Sequence, residues 1–229
     1  MTSSIEIDLA RPIPLFPLPT CVLLPHVTVP LHIFEQRYRA MTADVLEHDS
    51  VLAMATFHGT QWRTDYEGAP PLREHVCIGR IVRHSKLPDG RYHILLQGLG
   101  RASIVEEIPH QPYRVALLDL NEDAQHMEID LLDERERIVS LLEDPLLNSL
   151  AAIKAVHSWL DEELSTSAIV DLTTMTFCRQ SEDIYAMLAN DDALSRADRL
   201  ARLLEQTRHT LEVASRFTGP VAEDGNCLN

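Results

Sequence analysis

The chain has 229 residues, 45% of them apolar and 24% charged, which is the composition of an ordinary folded globular protein and excludes a disordered or fibrous one. Its formal net charge of −15 is uneven: residues up to Leu118 carry 12 acids against 11 bases, and Asp119 onward carries 23 against 9. A half that acidic repels phosphate backbones and reads as a solvated helical surface. The opening MTSSIEIDLA has no basic segment followed by an apolar core, and no apolar run approaches the ~20 residues of a membrane span. The expectation is a cytoplasmic protein with no membrane partner. Cys21, Cys77, Cys178 and Cys227 lie far apart with no CxxC, as reduced thiols do, and form neither a disulfide framework nor a zinc site.

From Ile13 to about Asp119 short β-branched and leucine-rich runs alternate with proline and glycine, the pattern of strands. "CVLLP", "VPLHIF", "SVLAMATF", "VCIGRIVRHSKL", "RYHILLQGL", "ASIVEEI" and "YRVALLDL" are read this way. One helix interrupts them, with Phe34, Tyr38, Met41 and Val45 on one apolar stripe. Phe34 and Tyr38 are assigned to the core. Glu35 and Arg37 fall in the helix's first turn, where the macrodipole favours an acid. His32 points to the opposite strand face from Leu31 and Ile33, so the cluster in "VPLHIFEQRYRAM" need not converge into a catalytic site. Between Gly59 and Glu74 runs a long polar loop that carries Trp62 and Tyr66. Asp89-Gly90, between "RHSKL" and "YHILL", predicts a two-residue type I′ hairpin. "LQGLGR" lacks a following helix N-terminus and reads as a strand bend, not a phosphate loop.

After Asp119 the period becomes helical. Met127, Leu131, Ile138 and Leu142 mark a first helix that Asp144-Pro145 ends. Further stripes pass through Leu150, Ile153 and Trp159, then Ile169 and Leu172, then Ile184 and Leu188. Ser195 with Asp198 resembles a capping box for a last helix through Leu200, Leu204, Thr207 and Leu211, stopped by Gly219-Pro220. Residues 218–229 are expected to fray.

Chemistry-bearing constellations are scarce. The eleven histidines are scattered without ligand spacing, so neither a metal nor a cofactor is expected. The lysines, Lys86 and Lys154, follow Ser85 and Ile153, which excludes a Walker A loop and gives a serine-lysine protease no base in context. The chain reads as non-enzymatic.

Two blocks carry a family likeness. "PLFPLPTCVLLPHVTVPLHIFEQRYRAM" (residues 14–41) resembles the opening signature of the Lon protease N-terminal, substrate-binding domain family. "IGRIVRHSKLPDGRYHILLQGLGRASIVEE" (residues 78–107) is similar to its second block, and "DDALSRADRLARLLEQ" (residues 191–206), more loosely, to its terminal helix. The resemblance implies an α+β fold: a PUA-like, barrel-like β subdomain over residues 11–119, followed by a helical bundle over 120–217. The chain resembles the small stand-alone members of the family.

The function this implies is a non-catalytic module that captures unfolded or apolar polypeptide segments, either as an adaptor for a protease or as a chaperone-like holder. Two other classes compete with it. One is an interaction protein whose acidic helical half docks a specific partner. The other is RNA binding on a basic face formed by Arg73, Arg80, Arg83, Lys86, Arg91 and Arg101, which the charge balance disfavours. The candidate contact residues are Trp62, Arg63 and Tyr66 in the long loop, with Gln36 and Arg37 at the start of the first helix, because aromatics and arginine dominate adaptable interfaces. The alternative is a loop that folds back, so that both rings complete the core.

Overall fold

The computed structural model describes residues 10–66, 68–121, 126–160 and 164–217, with backbone alone at 157–160. The expected frayed tail and the Gly219-Pro220 stop lie outside the described residues, as does the Trp159 side chain. The strands are β1 (Ile13–Leu18), β2 (Thr28–Ile33), β3 (Val51–Thr56), β4 (His75–Lys86), β5 (Tyr92–Ile108) and β6 (Arg114–Leu120), with α1 (Gln36–Leu46) between β2 and β3. The helices α2 (Leu132–Leu142), α3 (Ala151–Leu160), α4 (Thr166–Phe177), α5 (Ser181–Leu188) and α6 (Ala193–Phe217) follow. The fold is α+β.

Among the described residues the strands form one sheet in the order β2-β5-β4-β3-β1-β6, and β5 also pairs with β6. That extra pairing closes β1, β3, β4, β5 and β6 into a barrel and leaves β2 outside it as an edge. One bent strand makes closure possible. The first half of β5 pairs with β2, from Tyr92 to Gln97, and its second half with β6, from Ala102 to Ile108. The bend sits at "LQGLGR", where the β4–β5 register slips between Ile78 and Gly79. "RYHILLQGL" and "ASIVEEI" are therefore one strand, not two.

The barrel interior is small. Ile13, Leu15, Val51, Val76, Ile78 and Leu118 fill it together with Ala53, Ala55, Ala102 and Ala116, large beside small as a tight barrel requires. Strand β3 is buried along its whole length, because the residues alternating with Val51, Ala53 and Ala55 face a second, larger core. That core joins Leu52 and Met54 to Tyr38, Met41 and Val45 of α1, and continues into Ile138, Leu142, Ile169, Leu200 and Leu204 of the helices.

Four local expectations are corrected. "CVLLP" is not a strand: Cys21 to Leu24 run irregularly, with Val22, Leu23 and Leu24 buried. The segment crosses β5 at Gly98, where a Cβ would stand 2.1 Å from the Leu24 carbonyl oxygen, so only glycine allows the crossing. Phe34 is not core, being 61% exposed ahead of a helix that starts at Gln36. Nor is Met127, 69% exposed. The cap of α6 is Asp192, whose carboxylate accepts the N–H groups of Leu194 (3.2 Å) and Ser195 (3.3 Å), while Asp198 faces arginines.

The hairpin forms where expected but with a different turn. The Gly90 N–H donates to the Leu87 carbonyl (2.9 Å), the Leu87 N–H to the Arg91 carbonyl (2.8 Å), and Gly90 has φ +81° while Asp89 does not enter positive φ. This is a type I turn closed by a left-handed glycine, a three-residue loop in place of type I′. Pro88 explains the choice: its ring fixes φ near −65°, which suits the first corner of a type I turn. The Asp89 carboxylate then accepts the Arg91 backbone N–H (3.1 Å) and Nε (2.7 Å).

Candidate functional site

The start of α1 and the long loop come together around one ion pair. Glu35 takes the N-cap position of α1 in extended geometry but makes no capping bond with its side chain. Its carboxylate accepts Arg37 Nε (3.1 Å) and the Tyr66 hydroxyl (3.1 Å) instead. Arg37 lies between two aromatic rings, with its guanidinium carbon 4.6 Å from the Tyr38 ring centre and 4.7 Å from that of Tyr66, and donates from Nη1 to the Tyr66 carbonyl (3.2 Å). Acid, cation and phenol thus fasten the loop to the helix. Burial pushes the Tyr38 phenol up, with Arg37 opposing it; burial and the Glu35 carboxylate push the Tyr66 phenol up. Both rings remain protonated donors at neutral pH, suited to contact and not to proton transfer.

Trp62 and Tyr66 are half-buried, between the two alternatives of an exposed pair and a core pair. Both rest on the buried Phe57: Trp62 stacks at 6.1 Å between centroids, and Tyr66 meets it edge-on at 5.7 Å. Arg63, exposed, places its guanidinium 5.5 Å from the Trp62 ring centre. Gln36 does not join them. It is exposed on the far side of α1, in a cleft with Arg39, Lys86 and Gly90. Beside Arg37 and Tyr38 a cleft of about 520 Å³ runs under Gly68, Ala69 and the Gln111-Pro112 corner. Trp62, Arg63, Tyr66 and Arg37 are thus linked through Phe57 and the two arginine–ring contacts into one aromatic–cationic ridge, of which Arg37 alone lines the cleft, and Gln36 belongs to another surface.

The expected basic face is largely dissolved by pairing. Arg73 bonds Glu182 (2.6 Å), Arg91 bonds Asp89 (2.6 Å), and Arg101 is buried against Asp171 (2.5 Å). Arg83 and Lys86 stay exposed. The cluster in "VPLHIFEQRYRAM" does not converge either: His32 lies against His93, with ring centres 4.9 Å apart, and Glu35 goes to Arg37. The nearest thing to a serine–histidine arrangement was missed in the sequence, because its members sit on separate strands. Ser103 Oγ is 3.2 Å from His75 Nδ1, yet its hydroxyl donates to Asn121 Oδ1 (2.9 Å), and Asn121 Nδ2 donates to Asp191 (2.8 Å). That chain ties the barrel to the turn before α6, and among the described residues no carboxylate bonds the imidazole as a base would need. Among the described residues no group of three or more His, Cys, Asp or Glu could hold a metal ion, and no helix is long and apolar enough to cross a membrane.

The family model of the ATP-dependent protease La (LON) substrate-binding domain matches residues 12–206. The chain belongs to the LON substrate-binding domain family. Among curated proteins this LON domain is 25% identical over 220 residues to Lon protease 2 of Myxococcus xanthus, covering 93% of this chain and 26% of that protein. It is 24% identical over 221 residues to Lon protease of Escherichia coli K12, covering 91% and 26%. The chain thus spans about a quarter of the length of the curated relatives it matches. The fold of the LON domain is shared with the N-terminal domain of Mycobacterium avium complex Lon protease (TM-score 0.63, 14% identity, 85% of this chain and 98% of that one). It is also shared with a Lon N-terminal domain protein from Xanthomonas campestris (TM-score 0.57, 18% identity, 83% and 96%). The region matched is the substrate-binding domain, not the ATPase or protease domain.

Proposed function

We propose that this protein is a non-catalytic polypeptide-binding module of the cytoplasm, which captures unfolded or apolar segments of client proteins, for a protease or as a chaperone-like holder. The observation that carries the reading is the substrate-binding family match over residues 12–206, joined to a sequence with neither a Walker A lysine nor a serine-lysine pair. In this reading the barrel (11–119) and the helical bundle (120–217) are two subdomains, and the ridge of Trp62, Arg63, Tyr66 and Arg37 is the contact surface, without Gln36, which lies in the other cleft. Half-buried rings held on Phe57 suit such a role, because they offer apolar area without the entropy loss of ordering a free side chain. A surface of two rings supports weak capture, of ~micromolar to millimolar strength once the client's ordering is subtracted.

The test is titration of a reduced, unfolded model protein against wild type and Trp62→Ala/Tyr66→Ala, without nucleotide. Wild type is expected to bind weakly, with only a modest loss at high salt, since apolar burial is unscreened, and the double variant to bind less. No binding by wild type up to its solubility limit overturns the reading.

A further inference from the structure

We propose that His32 of β2 and His93 of β5 chelate one transition-metal ion of the imidazole-preferring class, zinc, copper(II) or nickel(II), on the outer face of the sheet. The inference stands apart from the polypeptide-binding reading and uses none of its residues. Register brings the two histidines together. Strand β2 pairs antiparallel with β5 without a break from Thr28–Gln97 to Ile33–Tyr92, and His32 lies directly opposite His93. Pro30, opposite Leu95, has no N–H to exchange, so that pair is a non-hydrogen-bonded one, and by the alternation of an antiparallel ladder His32–His93 is non-hydrogen-bonded too. In such pairs the side chains stand closest, with Cα atoms ~4.5 Å apart. The sequence could not show this, because the two histidines belong to strands that β3 and β4 separate in the chain.

The ring separation suits a shared ion. The ring centres are 4.9 Å apart. An imidazole nitrogen holds zinc at about 2.0–2.1 Å, which with the radius of the ring puts each ring centre roughly 3.2 Å from the ion. Two such rings then stand about 4.5 Å apart at a right-angled ligand geometry and about 5.2 Å apart at a tetrahedral one. The observed separation falls between these values, so rotation of the side chains, without movement of the strands, brings a nitrogen of each ring to one ion. Both rings are exposed, and among the described residues neither makes a hydrogen bond or ion pair, whereas His48, His75, His110 and His126 each engage a ring nitrogen. The pair lines a groove of about 400 Å³ with Ser85, which lies opposite His93 on β4. Arg83, one row away, opposes a cation there, and the chain's net charge of −15 favours one. Two protein donors leave the remaining positions to water or to a donor from outside, so the ion is weakly held and exchangeable, unlike a closed structural zinc.

The experiment is titration of the full chain with zinc ion, followed by calorimetry and by the NMR signals of the histidine rings. His32 and His93 are expected to shift together at the lowest zinc concentrations, ahead of the other histidines. His32→Gln and His93→Gln should each weaken the tightest site about tenfold, and the double variant no further than either single one, because chelation needs both rings. His58→Gln, at an exposed histidine elsewhere, should change nothing. Copper(II) should bind tighter than zinc, and excess magnesium, which prefers oxygen ligands, should not displace it. If a variant melts early, the joint shift of the two rings in wild type decides alone. Zinc that leaves the His32 and His93 signals in place, a tightest site indifferent to both substitutions, or displacement by magnesium, which marks surface carboxylates as the ligands, overturns the proposal.

Discussion

Arg101 of β5 donates from Nη2 to the Asp171 carboxylate of α4 at 2.5 Å, with the two side chains 4% and 0% exposed, and this buried pair joins the barrel to the helices. Arg101 Nε also donates to the Met187 carbonyl of the α5 helix (3.4 Å), while Asp171 Oδ2 is buried without a hydrogen-bond partner. Burial pushes the Asp171 carboxyl above its usual range against the pull of Arg101. Desolvation therefore outweighs the attraction. Arg101→Met, which strands a buried carboxylate, should cost ~3–5 kcal/mol, whereas Arg101→Met with Asp171→Leu should be close to neutral or stabilising. Urea unfolding of both variants checks this, and a single variant as stable as wild type would refute a buried pair.

The hairpin gives a second test. A Cβ on Gly90 would stand 2.1 Å from Arg39 Nη2, and Gly90 already needs φ +81°. Gly90→Val should therefore destabilise by ~1–2 kcal/mol or more, since backbone strain adds to displacement of Arg39, whose Nε donates to the Gly90 carbonyl (2.8 Å). An unchanged thermal midpoint would reject the turn.

Arg137 of α2 reaches Glu205 (2.9 Å) and Asp198 (3.0 Å) of α6. Hydrogen bonds from Arg202 and Arg137 hold the Asp198 carboxyl below its usual range. A carboxylate depressed in the folded state stabilises above its unfolded pKa, ~3.9, and that contribution fades as pH falls through the lower folded value. The midpoint difference between wild type and Arg137→Met should thus be present at neutral pH and shrink progressively below about pH 4. Partial exposure and salt screening keep it to roughly 1 kcal/mol or less. Circular dichroism melts across pH and salt measure it.

Tyr66→Phe keeps the ring on Phe57 and removes the bond to Glu35. The expected cost is ~0.5–1.5 kcal/mol, with capture of an unfolded client retained if the ring makes the contact. Titration and denaturation on one sample distinguish loss of the surface from loss of the fold.

Burial pushes the Cys77 thiol up to about 12; burial, with Asp183 beside it, pushes Cys178 up to about 11, and burial raises Cys21. With so little thiolate at pH 8, all three should react slowly with Ellman's reagent in the native protein and quickly once unfolded. Mass mapping of the labelled sites reads the outcome.

Much of this molecule was written locally. The period-2 runs that became β3, β4 and β6, the 3.6 period after Asp119, the bend at "LQGLGR" and the hairpin position all depend on neighbours within a few residues. The family signature was legible for the same reason. Where reading failed, a distant partner decided. "CVLLP" has strand composition, but its backbone is taken by the crossing over Gly98. Phe34 fits the helix stripe, but the helix begins two residues later. Arg101 looks like a surface base in sequence; Asp171, seventy residues on, draws it inside. The candidate ridge divides the same way: the sequence supplied Trp62, Arg63, Tyr66, Gln36 and Arg37 as residue types, and only packing put Arg37 between two rings and turned Gln36 to another face. Dihedral preference and hydrophobic period act over one or two turns of chain, so sequence alone determines elements and family. Barrel closure, buried pairing and exposure depend on contacts between residues far apart in the chain, which exist only once the tertiary structure has formed.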